Sequence, residues 1–342
     1  MMRNDTAGLL SSIDSSIQGL FFETETDYRL KPFVWDVSTQ GEFNISRLLK
    51  SIGTLVAVEL DDFLSWGEYL EDFKQWQEFL DQNPEYLTSE GNSRMPMPLS
   101  TRLQIARERE EEFRIFNSES AVMEKRYLSL LENIQTHVNE LQVYRVIKYD
   151  EVTHNYDYSN DLNSSKDVFE SFKILVGKVM NDCWIGISPI SRNVEFPSRP
   201  TPERYMNRRI LRYEEEVEKI LSKLKPILDK LKFVWQDCHN IYSKRDKYAF
   251  DYAESKDELI SRLLHSSNFL NTWEFKGMAS GIEGVYLVED GEKFNAIDEL
   301  LLSNLNGLRF YVIGTISMFD IYVIGKTQSG DCLGFSTIAM WT

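Results

Sequence analysis

Glu23, Glu25 and Asp27 alternate with Thr24 and Thr26 directly after the apolar triplet Leu20-Phe21-Phe22, and no cation stands among them. Neighbouring carboxylates are candidates for acid and base work. Pairs such as Glu23 with Glu25, or Asp61 with Asp62, are however frequent in a chain this acidic, and read alone the segment is an exposed, solvated loop. The other reactive groups are scattered. His137, His154, His239 and His265 stand far apart, and Cys238 beside His239 has no second ligand pair at zinc spacing. Neither phosphate-loop pattern occurs, so Gly325-Lys326-Thr327 reads as a turn lysine after a strand. No serine sits in a nucleophile elbow. These residues predict a protein that is not an enzyme and has no cofactor and no metal of its own. An enzymatic reading would require Cys238 and His239 to converge with acids in a pocket.

Charge narrows the partners. Against 38 Lys and Arg stand 54 Asp and Glu, a net of −16 over 342 residues, and such a field repels phosphate backbones and anionic lipid. It argues against direct nucleic-acid binding and for a basic protein partner, such as the phosphate-binding cleft of a nucleic-acid enzyme, with ordinary solubility charge as the bland alternative. No apolar run approaches the ~18 residues of a membrane span, and no signal peptide is read. Cys183, Cys238 and Cys332, odd in number and widely spaced, suit a reducing compartment, so a cytoplasmic location is expected.

The elements that must position the acidic stretch follow from periodicity. Leu9, Leu10, Ile13 and Ile17 predict a helix, and Lys31–Val37 a strand with Phe33, Trp35 and Val37 on one face. A helix over 43–52, a strand over 54–58 and a helix opening at Leu60 follow, then an aromatic-faced helix over 69–80 and a loop over 83–100. Next come a long helix over 119–141, strands over 143–147 and 172–176, and a polar insertion over 150–166. The second stretch reads as a helix over 213–231 with a kink at Pro226, a helix over 257–264, a strand over 284–288, a helix over 294–305 and strands over 308–313 and 319–324. Pro197, Pro200 and Pro202 mark the linker, giving domains over 1–193 and 210–342 joined by 194–209.

The two stretches repeat. Gly177-Lys178, Gly186, Ser188 and Ile190 fall on Gly325-Lys326, Gly334, Ser336 and Ile338 at one offset, 325 − 177 = 148. Gly177 and Gly325 are expected at turns with positive φ, and Gly186 and Gly334 interrupt the next strand, permitting a bulge or close packing. The simplest account is a duplicated α+β domain.

On these residues the chain resembles the nuclease A inhibitor-like proteins. The resemblance rests on Gly19-Leu20-Phe21-Phe22 leading into residues 23–28, then Phe33-Val34-Trp35, Val58-Glu59-Leu60-Asp61-Asp62-Phe63 and Val143-Tyr144-Arg145. In the second stretch it rests on residues 320–327, on Gly334-Phe335-Ser336-Thr337 and on the close at Thr342. It implies two tandem three-layer α/β/α sandwiches, in a protein that fills the cleft of a sugar-non-specific, metal-dependent nuclease. The family's loop glutamate, which approaches the enzyme's hydrated metal, corresponds to Glu25, with Thr24 and Thr26 beside it. The threonine whose carboxylate touches the enzyme corresponds to Thr342. Two departures stand out: Glu25 and Thr342 fall in different predicted domains, and residues 233–239 offer no second Glu25. They leave open a non-catalytic interaction or scaffolding module using aromatic surfaces such as Trp66, Trp76 or Trp273.

Overall fold

The first helix, α1 (Asn4–Ile17), buries Ile13 and Ile17, and Gly19 at φ 77° lets the chain turn back from it. The computed structural model describes residues 4–22, 28–64, 78, 82, 114, 118–119, 121–149, 168–179, 183–191, 214–237, 241–245, 247–278, 291–315 and 318–340. After α1 come β1 (Phe21–Phe22), β2 (Tyr28–Arg29), β3 (Lys31–Trp35), α2 (Val37–Gln40), α3 (Ile45–Ser51), β4 (Leu55–Val58) and α4 (Leu60–Leu64). Helix α5 covers 121–135 and leads to β5 (Val138–Tyr149), β6 (Val168–Val179) and β7 (Trp184–Pro189). The chain continues with α6 (Glu214–Leu228), β8 (Phe233–Asp237), β9 (Ile241–Arg245), β10 (Tyr248–Ala253), α7 (Lys256–Ser266), β11 (Leu270–Glu274) and α8 (Gly291–Asn304). It closes with β12 (Asn306–Ile313), β13 (Met318–Lys326) and β14 (Cys332–Met340). Helices with antiparallel sheets make an α+β fold. Apart from the short α2 and α4, both stretches run helix, hairpin, strand, helix, strand, helix and three strands.

Several expected boundaries shift. Helix α5 stops at 135, because the ladder with β6 takes 138–141 as strand in spite of their helical spacing. Val37 opens α2, capped by Asp36, whose side chain accepts from the Ser38 N–H, and so leaves the strand face. Helix α6 ends at Leu228 with Pro226 in its last turn. The expected helix over 69–80, loop over 83–100, insertion over 150–166, linker over 194–209 and strand over 284–288 lie wholly or almost wholly outside the described residues.

One sheet has the order β10-β7-β6-β5-β4, with β8 paired to β6 and β9. A second runs β11-β12-β13-β14-β3, β1 and β2 form a two-stranded sheet of their own, and every pairing among the described residues is antiparallel. The repeat keeps its register: Leu175 faces Ile187 as Val323 faces Phe335, and Val176 faces Gly186 as Ile324 faces Gly334. Gly177 and Gly325 are not at positive φ. They serve close packing, since a Cβ on either would stand 2.8 Å from Val138 or from Leu305 and Leu308. Each sheet also takes a strand from the other stretch. Strand β3 lies on β14 from Lys31↔Ser336 to Trp35↔Cys332, and β10 lies on β7 from Tyr248↔Pro189 to Ala253↔Trp184.

Three apolar clusters follow from this exchange. The first joins Ile13, Ile17, Leu20 and Leu30 to residues of 275–339, and the third joins Phe63 and residues of 123–187 to Val217–Phe233. Between them the middle cluster holds α3 and α7 against Val146, Phe172 and Ile174 of one sheet and Ile313 and Ile324 of the other. The helices α3 and α7 are tied at Asp257, which accepts from Ser46 Oγ (3.0 Å), Lys50 Nζ (3.1 Å) and Asn44 Nδ2 (3.3 Å). Burial alone would raise the Asp257 carboxyl, but these bonds hold it below its ordinary value.

A polar joint crosses between the sheets. Glu170 of β6 is fully buried and accepts from Trp235 Nε1 at 2.9 Å, from the Thr315 N–H at 3.1 Å and from the Thr315 hydroxyl. Nearby, Lys148 Nζ of β5 lies 2.5 Å from Asp320 Oδ1 of β13. Burial pushes the Glu170 carboxyl up to about 7 although these donors oppose it. The folded chain therefore holds this proton more tightly than the unfolded one. The stabilisation is complete below about pH 4.5 and is lost as pH rises to about 7. His265, pushed by burial down to about 4, acts in the opposite sense over much the same window, so a difference between variants is the clean readout. From pH 4.5 to 7.5, the unfolding free energy of Glu170→Gln relative to the parent is expected to rise by about 3 kcal/mol in urea titrations. A difference that stays flat with pH would show an ordinary carboxyl.

Candidate functional site

The expected contact residues Glu23, Thr24, Glu25, Thr26, Asp27 and Thr342 lie outside the described residues, as do Cys238, His239, Trp66 and Trp76. The strands that carry the acidic loop are described. Phe21 faces Arg29 and Phe22 faces Tyr28, so the two ends of the loop leave one hairpin. Leu20 is wholly buried beneath it, and the Leu30 N–H donates to the Leu20 carbonyl at 3.2 Å. Phe21 is 37% exposed, with the Arg29 guanidinium 5.7 Å from its ring centre.

The hairpin rests against the end of the chain. The Thr337 hydroxyl of β14 lies 3.3 Å from both the Tyr28 and the Arg29 carbonyls. Because residue numbers on β14 rise as those on β3 fall, the hairpin lies toward the Met340 end of β14. At the opposite end of β14, the Thr6 hydroxyl donates to Asp331 Oδ2 (2.8 Å) and the Val37 N–H to Asp331 Oδ1 (3.1 Å), with Asp331 only 4% exposed. One carboxylate at the β13–β14 turn thus fixes both α1 and the exit of β3. The strands bearing the two expected contacts, from opposite ends of the sequence, belong to one packed body.

The corresponding hairpin of the second stretch is placed differently. Strand β8 pairs with β6 at Ser171↔Gln236 and Phe172↔Trp235, and Trp235 stacks on Phe172 at 4.0 Å between ring centres. Trp273, considered as a partner surface, stacks instead on Phe310 at 5.1 Å. Among the described residues no three His, Cys, Asp or Glu gather as a metal site. A cleft of about 260 Å³ beside β14 is lined by Phe43, Tyr311, Lys326 and Cys332 among others, and burial pushes the Cys332 thiol up to about 11. Such a thiol is a poor nucleophile at neutral pH. No described helix is long and apolar enough to cross a membrane.

Residues 254–342, about a quarter of the chain, match the family described as nuclease A inhibitor-like protein. That stretch runs from the start of α7 through β14, and the match supports a nuclease-inhibitor-like unit there. The family is one of inhibitors, which fits a non-enzyme and a protein partner. No curated protein matches the chain.

Sequence reasoning missed the roles of Asp331, which fixes α1 and the exit of β3, and of Thr337, which bonds the hairpin. Replacing the buried Asp331 by Ala leaves the Val37 N–H without its acceptor and the Thr6 hydroxyl with Ser329 Oγ at 3.2 Å in its place, and is expected to cost about 1–3 kcal/mol, with Asp331→Asn costing less. Urea midpoints and hydrogen exchange at the Val37 amide check this. Unchanged exchange would remove Asp331 as the clamp.

Proposed function

We propose that the chain inhibits a sugar-non-specific, metal-dependent nuclease by entering its basic cleft with the acidic loop 23–27. The reading is carried by the family match of 254–342, whose sheet is completed by β3 and flanked by the hairpin that bears the loop. In this reading Glu25 accepts hydrogen bonds from water on the partner's metal, in the place of a substrate phosphate, because a carboxylate is a hard oxygen acceptor suited to hydrated Mg²⁺. Thr24 and Thr26 add hydroxyl contacts, and Thr342 a contact from beyond β14. The net charge of −16 steers the loop toward a basic cleft and away from nucleic acid. The stretches 1–193 and 210–342 are, on this proposal, two copies of one family unit acting in the cytoplasm.

The test is degradation of plasmid DNA by a magnesium-dependent, sugar-non-specific nuclease, with and without the chain, at low and moderate salt. Salt-sensitive inhibition is expected, and Glu25→Gln should weaken it by about 1–3 kcal/mol, roughly 5- to 150-fold. Full inhibition by Glu25→Gln would reject Glu25 as the anchor. No inhibition at any ratio would favour the interaction-module reading.

A further inference from the structure

Resting on that reading, we infer that the chain presents one nuclease-binding face, not two, and that this face is composite, built by the first 35 residues together with the last strands. The repeat supplies two candidate positions, one at the free end of each sheet's final strand. The structure treats them differently. In the second sheet, β14 runs on to Met340 beside β13, with Phe319↔Ala339 and Asp320↔Ile338. Subtracting the offset, 319 − 148 = 171 and 320 − 148 = 172, so Ser171 and Phe172 hold the matching places in the first sheet. There the partners are Gln236 and Trp235 of β8, and the pairing of β6 with β7 runs only from Leu175↔Ile187 to Lys178↔Trp184. The position that the end of β14 fills in one sheet is closed in the other by the chain's own hairpin, with Trp235 wholly buried in it.

Side chains decide which sheet receives the acid-bearing hairpin. Asp331 accepts from Thr6 and Val37 in the second sheet, and its counterpart in the first, 331 − 148 = 183, is Cys183, which offers no comparable acceptor. Thr337 supplies a hydroxyl to the Tyr28 and Arg29 carbonyls, and its counterpart, 337 − 148 = 189, is Pro189, which has no donor. Docked on β7, the N-terminal segment would lose all of these contacts. Docked on β14, it brings the hairpin strands β1 and β2 next to β14, so on this inference the two contacts expected in separate units serve one partner molecule.

Two measurements on the full chain test this. In the observed register Lys31 faces Ser336, whereas pairing within the first stretch would set Lys31 opposite Ser188, since 336 − 148 = 188. On mild oxidation, Lys31→Cys with Ser336→Cys should form the disulfide, seen by mass mapping, and Lys31→Cys with Ser188→Cys should not. The second measurement is the mass of the complex with the magnesium-dependent nuclease by light scattering, expected at one nuclease per chain. Cross-linking to position 188, or two nucleases per chain, overturns the inference. A nuclease that neither binds nor is inhibited overturns the functional reading, while the cross-links still decide how the face is built.

Discussion

The pairing of β3 with β14 is the constraint on which the rest of the structure depends. A sheet edge exposes unpaired N–H and C=O groups that the fold must satisfy or protect. Here one edge strand of each of the two large sheets comes from the other stretch, so neither is complete without the whole sequence. Helix α7 directly follows the exchanged strand β10, and α3 follows the exchanged strand β3 after the short α2. Their packing in the shared middle cluster is the geometric consequence of both crossings. Asp257, bonded to Ser46, Lys50 and Asn44, then locks the two crossing points to each other.

Ionisable groups inside this joint are costly unless bonded, and the chain bonds them across the seam. Lys148 is 2% exposed yet meets Asp320 from the other sheet, and Glu170 draws donors from both Trp235 and Thr315. Such groups specify one arrangement more than they add net stability, because separating the sheets would leave each of them buried without its partner or force water in. The tuning of Glu170 to about 7 is a by-product of that burial. It gives the seam a contribution to stability that falls as pH rises toward neutrality.

Much of the element order was legible in the sequence, because long periodic segments announce themselves. The spacing of Ile13 and Ile17, of Val217, Ile220 and Leu224, and of Phe294, Ile297 and Leu301 locates helices that the structure contains. The 148-residue offset reappears as identical strand register. Strands β10 and β11 escaped notice because Tyr248–Phe250 show only intermediate burial without alternation, and Leu270–Glu274 mixes apolar residues with Asn271 and Thr272. The exchange itself is invisible to periodicity. Both stretches carry the same pattern of strands, and what separates the two docking choices is single side chains such as Asp331 against Cys183. The acidic loop is conspicuous by composition, but its role came only from resemblance, since a run of solvated carboxylates looks the same whether or not a partner awaits it.

In the proposed function, a loop that meets a metal-bearing cleft faces opposed demands. Its carboxylates have to stay unpaired to be available, yet the backbone beneath them has to be held, because each residue ordered on binding subtracts from affinity. The described residues meet the second demand. Leu20 is wholly buried, the hairpin is bonded to Thr337, and Arg29 sits over Phe21, where it occupies the ring face on the hairpin. The hairpin is anchored not by its neighbours in sequence but by a strand about 310 residues away, so the order of the loop's base depends on the completed fold. A chain folded over only one stretch would lack that base, so in the proposed function full assembly is a precondition for binding.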